Sequence, residues 1–261
     1  MEMNALRSIL RQAARLDRLP VMLQKAWRRL GDDRGRLSPE QNRRWLAEQK
    51  TDFEAYARAQ DAALWEETLA YAARFDAHAA RVLSSLEVKL GGGGYVHCLY
   101  FLTRFLRPRC VVETGVAAGH SSNAFLAALE ANGGGRLFSS DFPYFRIEDP
   151  ERYIGVVVED RLRAGWTLLV DGDERNLPRI VAQVDRIDLF HYDSDKSYAG
   201  RRRALALVAP KLASGSVVVM DDIQDNSFFH DLVTSRPCRW QVFEAGTKFV
   251  GLVTALERPG A

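Results

Sequence analysis

From Cys110 onward, short apolar runs alternate with amphipathic stretches, and this alternation restricts the possible folds more than any other feature of the chain. "CVVETGV" (110–116), "RLFSSDF" (136–142), "WTLLVDGD" (166–173), "RIDLFHYD" (186–193) and "SVVVMDD" (216–222) have strand length and strand-forming residues. Between them, "HSSNAFLAALEANG" (120–133), "LPRIVAQV" (177–184), "SYAGRRRALALVAPKLASG" (197–215) and "SFFHDLVTS" (227–235) read as helices. The first is closed by Gly133 and the third by Gly215. Residues 143–165 are irregular, with room for a short helix. "WQVFEAG" and "KFVGLVTA" read as a terminal hairpin. Strands separated by helices imply an α/β fold, a doubly wound and mostly parallel sheet with helices on both faces, here finished by an antiparallel hairpin. In such sheets the ligand sits outside the carboxyl ends of the strands.

The chain before residue 90 reads as helix throughout: 3–30, a break at "GDDRGRLSP", then 39–60 and 61–88. Ser38 is placed to cap a helix that has Pro39 at its first position. "GGGG" (91–94) is a joint, and Tyr95 to Leu106 resumes a helical pattern. The expected organisation is a helical N-terminal region, 1–94, acting as a cap or oligomerisation arm, followed by the α/β domain, 95–261. With 261 residues, 47% of them hydrophobic, a sizeable core is available and global disorder is excluded. A net charge of +2 argues against a nucleic-acid partner. The three cysteines, Cys98, Cys110 and Cys238, are odd in number and lack CxxC spacing, so reduced, buried thiols of a cytoplasmic protein are expected. No run is long enough for a membrane span. The first 29 residues carry seven basic and two acidic side chains, and "ALRSILRQAARL" is amphipathic. It reads as a helix docking on its own domain or on a second copy, ahead of a targeting or membrane-surface helix.

"VVETGVAAGHSS" carries a strand into a glycine turn and then a helix, whose free N–H groups suit an anion. A dinucleotide fingerprint is not met: counted from Gly115, the later glycine positions hold Ala117 and His120, which disfavours NAD. Gly115-x-x-x-Gly119 with Glu113 before it resembles the first motif of class I S-adenosylmethionine-dependent methyltransferases. Asp141 falls after the next strand, where a carboxylate can accept from both hydroxyls of a ribose. The resemblance covers residues 109 to about 254. It is strongest to the O-methyltransferase group that includes macrocin and rhamnosyl methyltransferases, with catechol O-methyltransferase more distant. It implies a Rossmann-like fold. It also implies S-adenosylmethionine as methyl donor, with Glu113, Gly115, Gly119 and Ser121 around its methionine end, Asp141 at the ribose and Asp173 near the adenine.

In the resembled fold, strands four and five are neighbours, so Asp193 would meet Asp221 and Asp222. Three converging carboxylates repel unless a cation neutralises them, and hard oxygen ligands point to Mg²⁺. Metal-dependent members of the group have such acids after these two strands. Lys196 stands where catechol methyltransferase has its lysine base, whereas the macrolide-sugar relatives carry a histidine in a D-H-S-Y pattern. Here the pattern is Asp195-Lys196-Ser197-Tyr198. A lysine base acting near neutrality needs burial. The plainer readings remain beside these: Ser197 as a helix cap, Asp222 as another, and Asp221 contacting substrate without metal. His191 reads as a core histidine, "RRRAL" (201–205) as a solvated helix face, and Phe228, Phe229 and Trp240 as core. The expected activity is methyl transfer to a hydroxyl of a small molecule, a sugar or secondary metabolite. A metal-independent methyltransferase, an NAD-dependent oxidoreductase and a non-enzymatic binding module are the alternatives.

Overall fold

The structure, a computed structural model, describes residues 35–90, 93–143, 147 and 149–254. The N-terminal helix expected over 3–30 lies outside the described residues. Helix α1 (Pro39–Gln49) begins as its sequence demands. Ser38 Oγ accepts from Gln41 N, and the Gln41 side chain accepts from Ser38 N in return. The expected helix over 39–60 is interrupted, because Lys50–Thr51 form a two-residue strand, β1, and Asp52 then caps α2 (Phe53–Ser84). The expected boundary at residue 61 appears as a kink inside α2. Asp61 has φ −160° and ψ 99°, and its carboxylate accepts from Leu64 N, restarting the helix. Helix α3 (Val96–Leu106) follows the glycine run.

The remaining elements are β2 (Cys110–Thr114), α4 (His120–Ala131), β3 (Arg136–Ser140), β4 (Trp166–Leu169), α5 (Asp173–Gln183), β5 (Ile187–Tyr192), α6 (Tyr198–Val208), β6 (Leu212–Met220), α7 (Phe228–Ser235), β7 (Arg239–Ala245) and β8 (Lys248–Thr254). They form one eight-stranded sheet in the order β1-β7-β8-β6-β5-β2-β3-β4. Every pairing is parallel except β6–β8 and β7–β8. This is the expected Rossmann-like, doubly wound architecture with a closing antiparallel hairpin. Gly215 does not close a helix as expected: α6 stops at Val208, just before the Ala209–Lys211 turn that contains Pro210, and Gly215 lies inside β6.

Strand alternation sorts side chains between two cores. Val111, Leu189, Val219 and Leu252 face α2, α3 and α4, whereas Val112, Phe190, Val218 and Val253 face the layer of α1, α5, α6 and α7. Phe53, at the start of α2, packs against Phe243 of β7, Phe101 of α3, Trp65 and Tyr95 with ring centroids 4.9–5.9 Å apart. The N-terminal helices are therefore packed into the sheet's own core. On the other face, Asn42 of α1 is 1% exposed and donates to the carbonyls of Ile223 and Asn226 at 3.0 and 2.9 Å. It thereby ties α1 to the loop that follows β6. Cys98 and Cys110 are buried, while Cys238 is only partly so, and all three are free. No helix among the described residues is long and apolar enough to cross a membrane.

Asn42→Leu leaves two buried carbonyls without a donor. We expect it to destabilise the protein by about 1–3 kcal/mol in denaturant unfolding, and Asn42→Ser, which keeps a donor, to lose less.

Candidate active site

The carboxyl edge is stitched by backbone hydrogen bonds that continue the ladder beyond the strands. Gly115 N donates to Ser140 O, Asp193 N to Thr114 O, Asp141 N to Leu169 O and Asp221 N to Tyr192 O, at 2.9–3.0 Å. The loops carrying Gly115, Asp141, Asp193 and Asp221 are thereby held side by side. Gly115 has φ +82°, and a Cβ there would lie 2.1 Å from the carbonyl oxygen of Asp193. Only glycine permits this approach. Gly119 has φ +101° and packs against Gly155, while Gly155 N and Val157 N donate to the carbonyls of Ala117 and Ala118. The segment between β3 and β4 thus braces the glycine turn. Ser121 is buried in the first turn of α4.

Asp141 turns toward the glycine turn: its Oδ2 accepts from Ala117 N at 2.8 Å and Val116 N at 3.2 Å. Asp173 opens α5, and its carboxylate accepts from Ser140 Oγ at 2.6 Å and from Ser194 Oγ. Its oxygens therefore join the ends of β3 and β5. Glu113 stands apart from the open edge. Its position in β2 aligns it with Ser139 and His191 on the face covered by α4, and it is 0% exposed. Glu113 Oε2 accepts from Ser122 and Ser139, and Oε1 lies 3.7 Å from His191 Nδ1, neither atom being hydrogen-bonded among the described residues. Burial lowers the His191 pKa, but Glu113, with Asp193 and Asp221 beyond it, outweighs burial and leaves it above the usual imidazole value. His191 is a core residue, as the sequence suggests.

Asp193, Asp221 and Asp222 converge, each offering an oxygen within 4.8 Å of the others. Burial, reinforced by Asp221 and opposed by His191 and the nearby lysines, pushes the Asp193 carboxyl up to about 6. Its Oδ1 is buried and accepts no hydrogen bond among the described residues, although Lys196 Nζ lies 3.4 Å away, and a carboxylate oxygen of this kind suits a hard cation. Asp221 Oδ1 accepts from Asp222 N at 3.0 Å. Asp222 adopts left-handed backbone, φ 51°, and its side chain does not cap the turn that follows. It meets Lys196 Nζ instead, and Lys196 also lies 3.4 Å from Asp193. The Lys196 side chain is 39% exposed. Ser197 does cap α6, accepting from Gly200 N.

Two residues of this edge escape the sequence reading. Arg201 corrects the solvated-face expectation for "RRRAL": it is 1% exposed and donates to the carbonyls of Asp221 and Asp222, both at 2.9 Å, while Arg202 and Arg203 face solvent. The signal was present, since 201, 204, 205 and 208 form one buried helical stripe. Lys248, from β8, lies 3.2 Å from Asp222 and 3.9 Å from Asp221. Nothing local marks it, because sheet order alone brings it there.

Residues 112–223 match a family described as a methyltransferase domain. No curated protein sequence matches the chain significantly. Among solved structures, a methyltransferase from Geobacter sulfurreducens is 21% identical with a TM-score of 0.53, over 70% of this chain and 89% of that one. The O-methyltransferase of Bacillus cereus, in complex with SAH, is 16% identical with a TM-score of 0.51, over 74% and 90%. TomG of Streptomyces achromogenes, an O-methyltransferase involved in tomaymycin synthesis and solved with SAM, is 16% identical with a TM-score of 0.53, over 68% and 89%. The match identifies a methyltransferase domain over residues 112–223, and the chain shares the fold of these methyltransferase structures.

Gly115→Ala should test the packing of the turn. Left-handed backbone and the approach to Asp193 together predict a loss of at least about 2 kcal/mol in denaturant unfolding, with a weakened ligand response at the same edge.

Proposed function

We propose that the protein transfers a methyl group from S-adenosylmethionine to a hydroxyl of a small molecule, a sugar or secondary metabolite, with a divalent ion, Mg²⁺, at the acidic cluster. The observation that carries this reading is the convergence on one sheet edge of the glycine turn, Asp141 and the Asp193–Asp221–Asp222 cluster. The O-methyltransferase activity of the structural neighbours agrees with it.

In this reading Gly115, Gly119 and Ser121 border the methionine end of the donor, and Asp141 accepts from the ribose hydroxyls. Asp173 with Ser194 forms the rim nearest the adenine. Glu113 acts from below by fixing α4 through Ser122 and β3 through Ser139. The acceptor oxygen attacks the methyl carbon, the carbon–sulfur bond breaks with its electron pair staying on sulfur, and the thioether product leaves. The hydroxyl proton goes to Lys196 Nζ in its neutral form, because the ammonium that pairs with Asp222 holds no lone pair to receive it. Asp193, Asp221 and Asp222 would hold the ion, whose contribution is to acidify and orient the acceptor hydroxyl. Arg201 positions the two carboxylates of the β6 loop through their own backbone carbonyls.

A second reading has support from one observation. Lys196 and Lys248 both contact Asp222, so two ammonium groups already offset much of the negative charge and methyl transfer without metal is chemically coherent. In either case we infer that the helical region before residue 94 caps the cleft or binds a second copy. No nucleic-acid or membrane partner is proposed, and the free cysteines fit a cytoplasmic location.

Thermal unfolding with S-adenosylhomocysteine tests the donor. At about 100 times its dissociation constant the ligand should stabilise by roughly 2.7 kcal/mol, and Asp141→Ala should lose most of this gain while NAD⁺ produces none. Titration with Mg²⁺ tests the metal. We expect a separate stabilisation that Asp222→Asn abolishes, with turnover lost in chelator; turnover that survives chelation selects the two-lysine reading instead.

A further inference from the structure

We propose that Lys248 selects the methyl acceptor by receiving a carboxylate or similar oxyanion carried next to the reacting hydroxyl, an inference that rests on the methyltransferase reading above. A cavity of about 230 Å³ opens beside the acidic cluster. It is lined by Gly93, Gly94 and Tyr95, by Asp221, and by the β7–β8 turn with Lys248. That volume suits a compact acceptor or one ring of a larger one. Tyr95 supplies an aromatic face, held edge-on against Phe53 at 5.4 Å. A Cβ at Gly94 would meet no atom of the described residues within 4 Å.

Among the described residues of the lining, Lys248 is the one cationic side chain. Its ammonium lies 3.2 and 3.3 Å from the two oxygens of Asp222 and 3.9 Å from Asp221, and its side chain is 46% exposed. An ammonium has three donors. The Asp222 oxygens occupy two at most, and the Asp221 distance is too long for a hydrogen bond, so a donor remains for an occupant of the cavity. Asp222 is also shared: Lys196 contacts it more closely than Lys248 does. Two like charges on one carboxylate repel, and the more exposed of the two gains most from a further anion. The geometry fixes where that anion stands. Lys248 is within a few ångströms of the cluster that would orient the hydroxyl, so the oxyanion and the hydroxyl belong to the same small fragment, as in a hydroxy acid or a hydroxylated aromatic acid.

The test is calorimetric titration of 3,4-dihydroxybenzoate and of catechol, a matched pair differing in the carboxylate, into protein containing S-adenosylhomocysteine and Mg²⁺. We expect the acid to bind about tenfold more tightly, the size of one charge-assisted hydrogen bond. Lys248→Met should bring the two within about twofold while leaving S-adenosylhomocysteine binding unchanged, and Lys248→Arg should retain the preference. Equal binding to the wild type, a preference that survives Lys248→Met, or binding of neither probe by protein that still takes up S-adenosylhomocysteine overturns the proposal and leaves the methyltransferase reading intact. Failure to bind S-adenosylhomocysteine overturns both.

Discussion

Three carboxylates within 4.8 Å of one another, at the ends of two adjacent strands, are the constraint around which the carboxyl edge is organised. Like charges at that distance in a half-buried setting favour protonation or separation unless cations intervene, and the raised Asp193 pKa records the strain. The cations come from three elements. Lys196 follows β5 and Lys248 belongs to β8, and both reach the side chains. Arg201 of α6 instead engages the backbone carbonyls of Asp221 and Asp222 from beneath. Strand β6 lies between β5 and β8, so one loop receives groups from the parallel and the antiparallel parts of the sheet at once.

The same edge depends on backbone approach. Gly115 lets the turn after β2 touch the Asp193 carbonyl, and Gly119 lets the segment after β3 close on the first turn of α4. These contacts leave Asp141 with two amides of the glycine turn and join Asp173 to Ser140 and Ser194. Farther from the edge, α1 fastens the β6 loop through Asn42, and α2 enters the sheet core through Phe53. Helices α1 and α2 are therefore part of what positions the site.

Much of this was legible in the residues. Alternating apolar runs revealed the five parallel core strands and the hairpin, and Ser38 and Ser197 marked helix starts by local capping chemistry. Glycine at 115 and 119 and acids at 141, 193, 221 and 222 converge as their positions at strand ends require. The reading lost accuracy where neighbours in space override neighbours in sequence. Strand β1 exists only because β7 offers it a partner. Gly215 looks like a helix stop, but Pro210 had already ended the helix. Arg201 sits in a triple of arginines whose other two members are solvated, and only the packed α6–β6 contact shows which one is inside.

The order of apolar and polar residues along this chain, taken alone, determined the sheet, its layers and the edge that carries chemistry, because strand and helix periodicities are local and a parallel sheet exposes its loops at one end. Tertiary structure decided what each charged group does there. It turned Glu113 inward between Ser122, Ser139 and His191, set Arg201 under the acidic loop, and brought Lys248 from the far hairpin to Asp222. Electrostatic roles depend on distance and burial, and those quantities come into being only when the sheet closes.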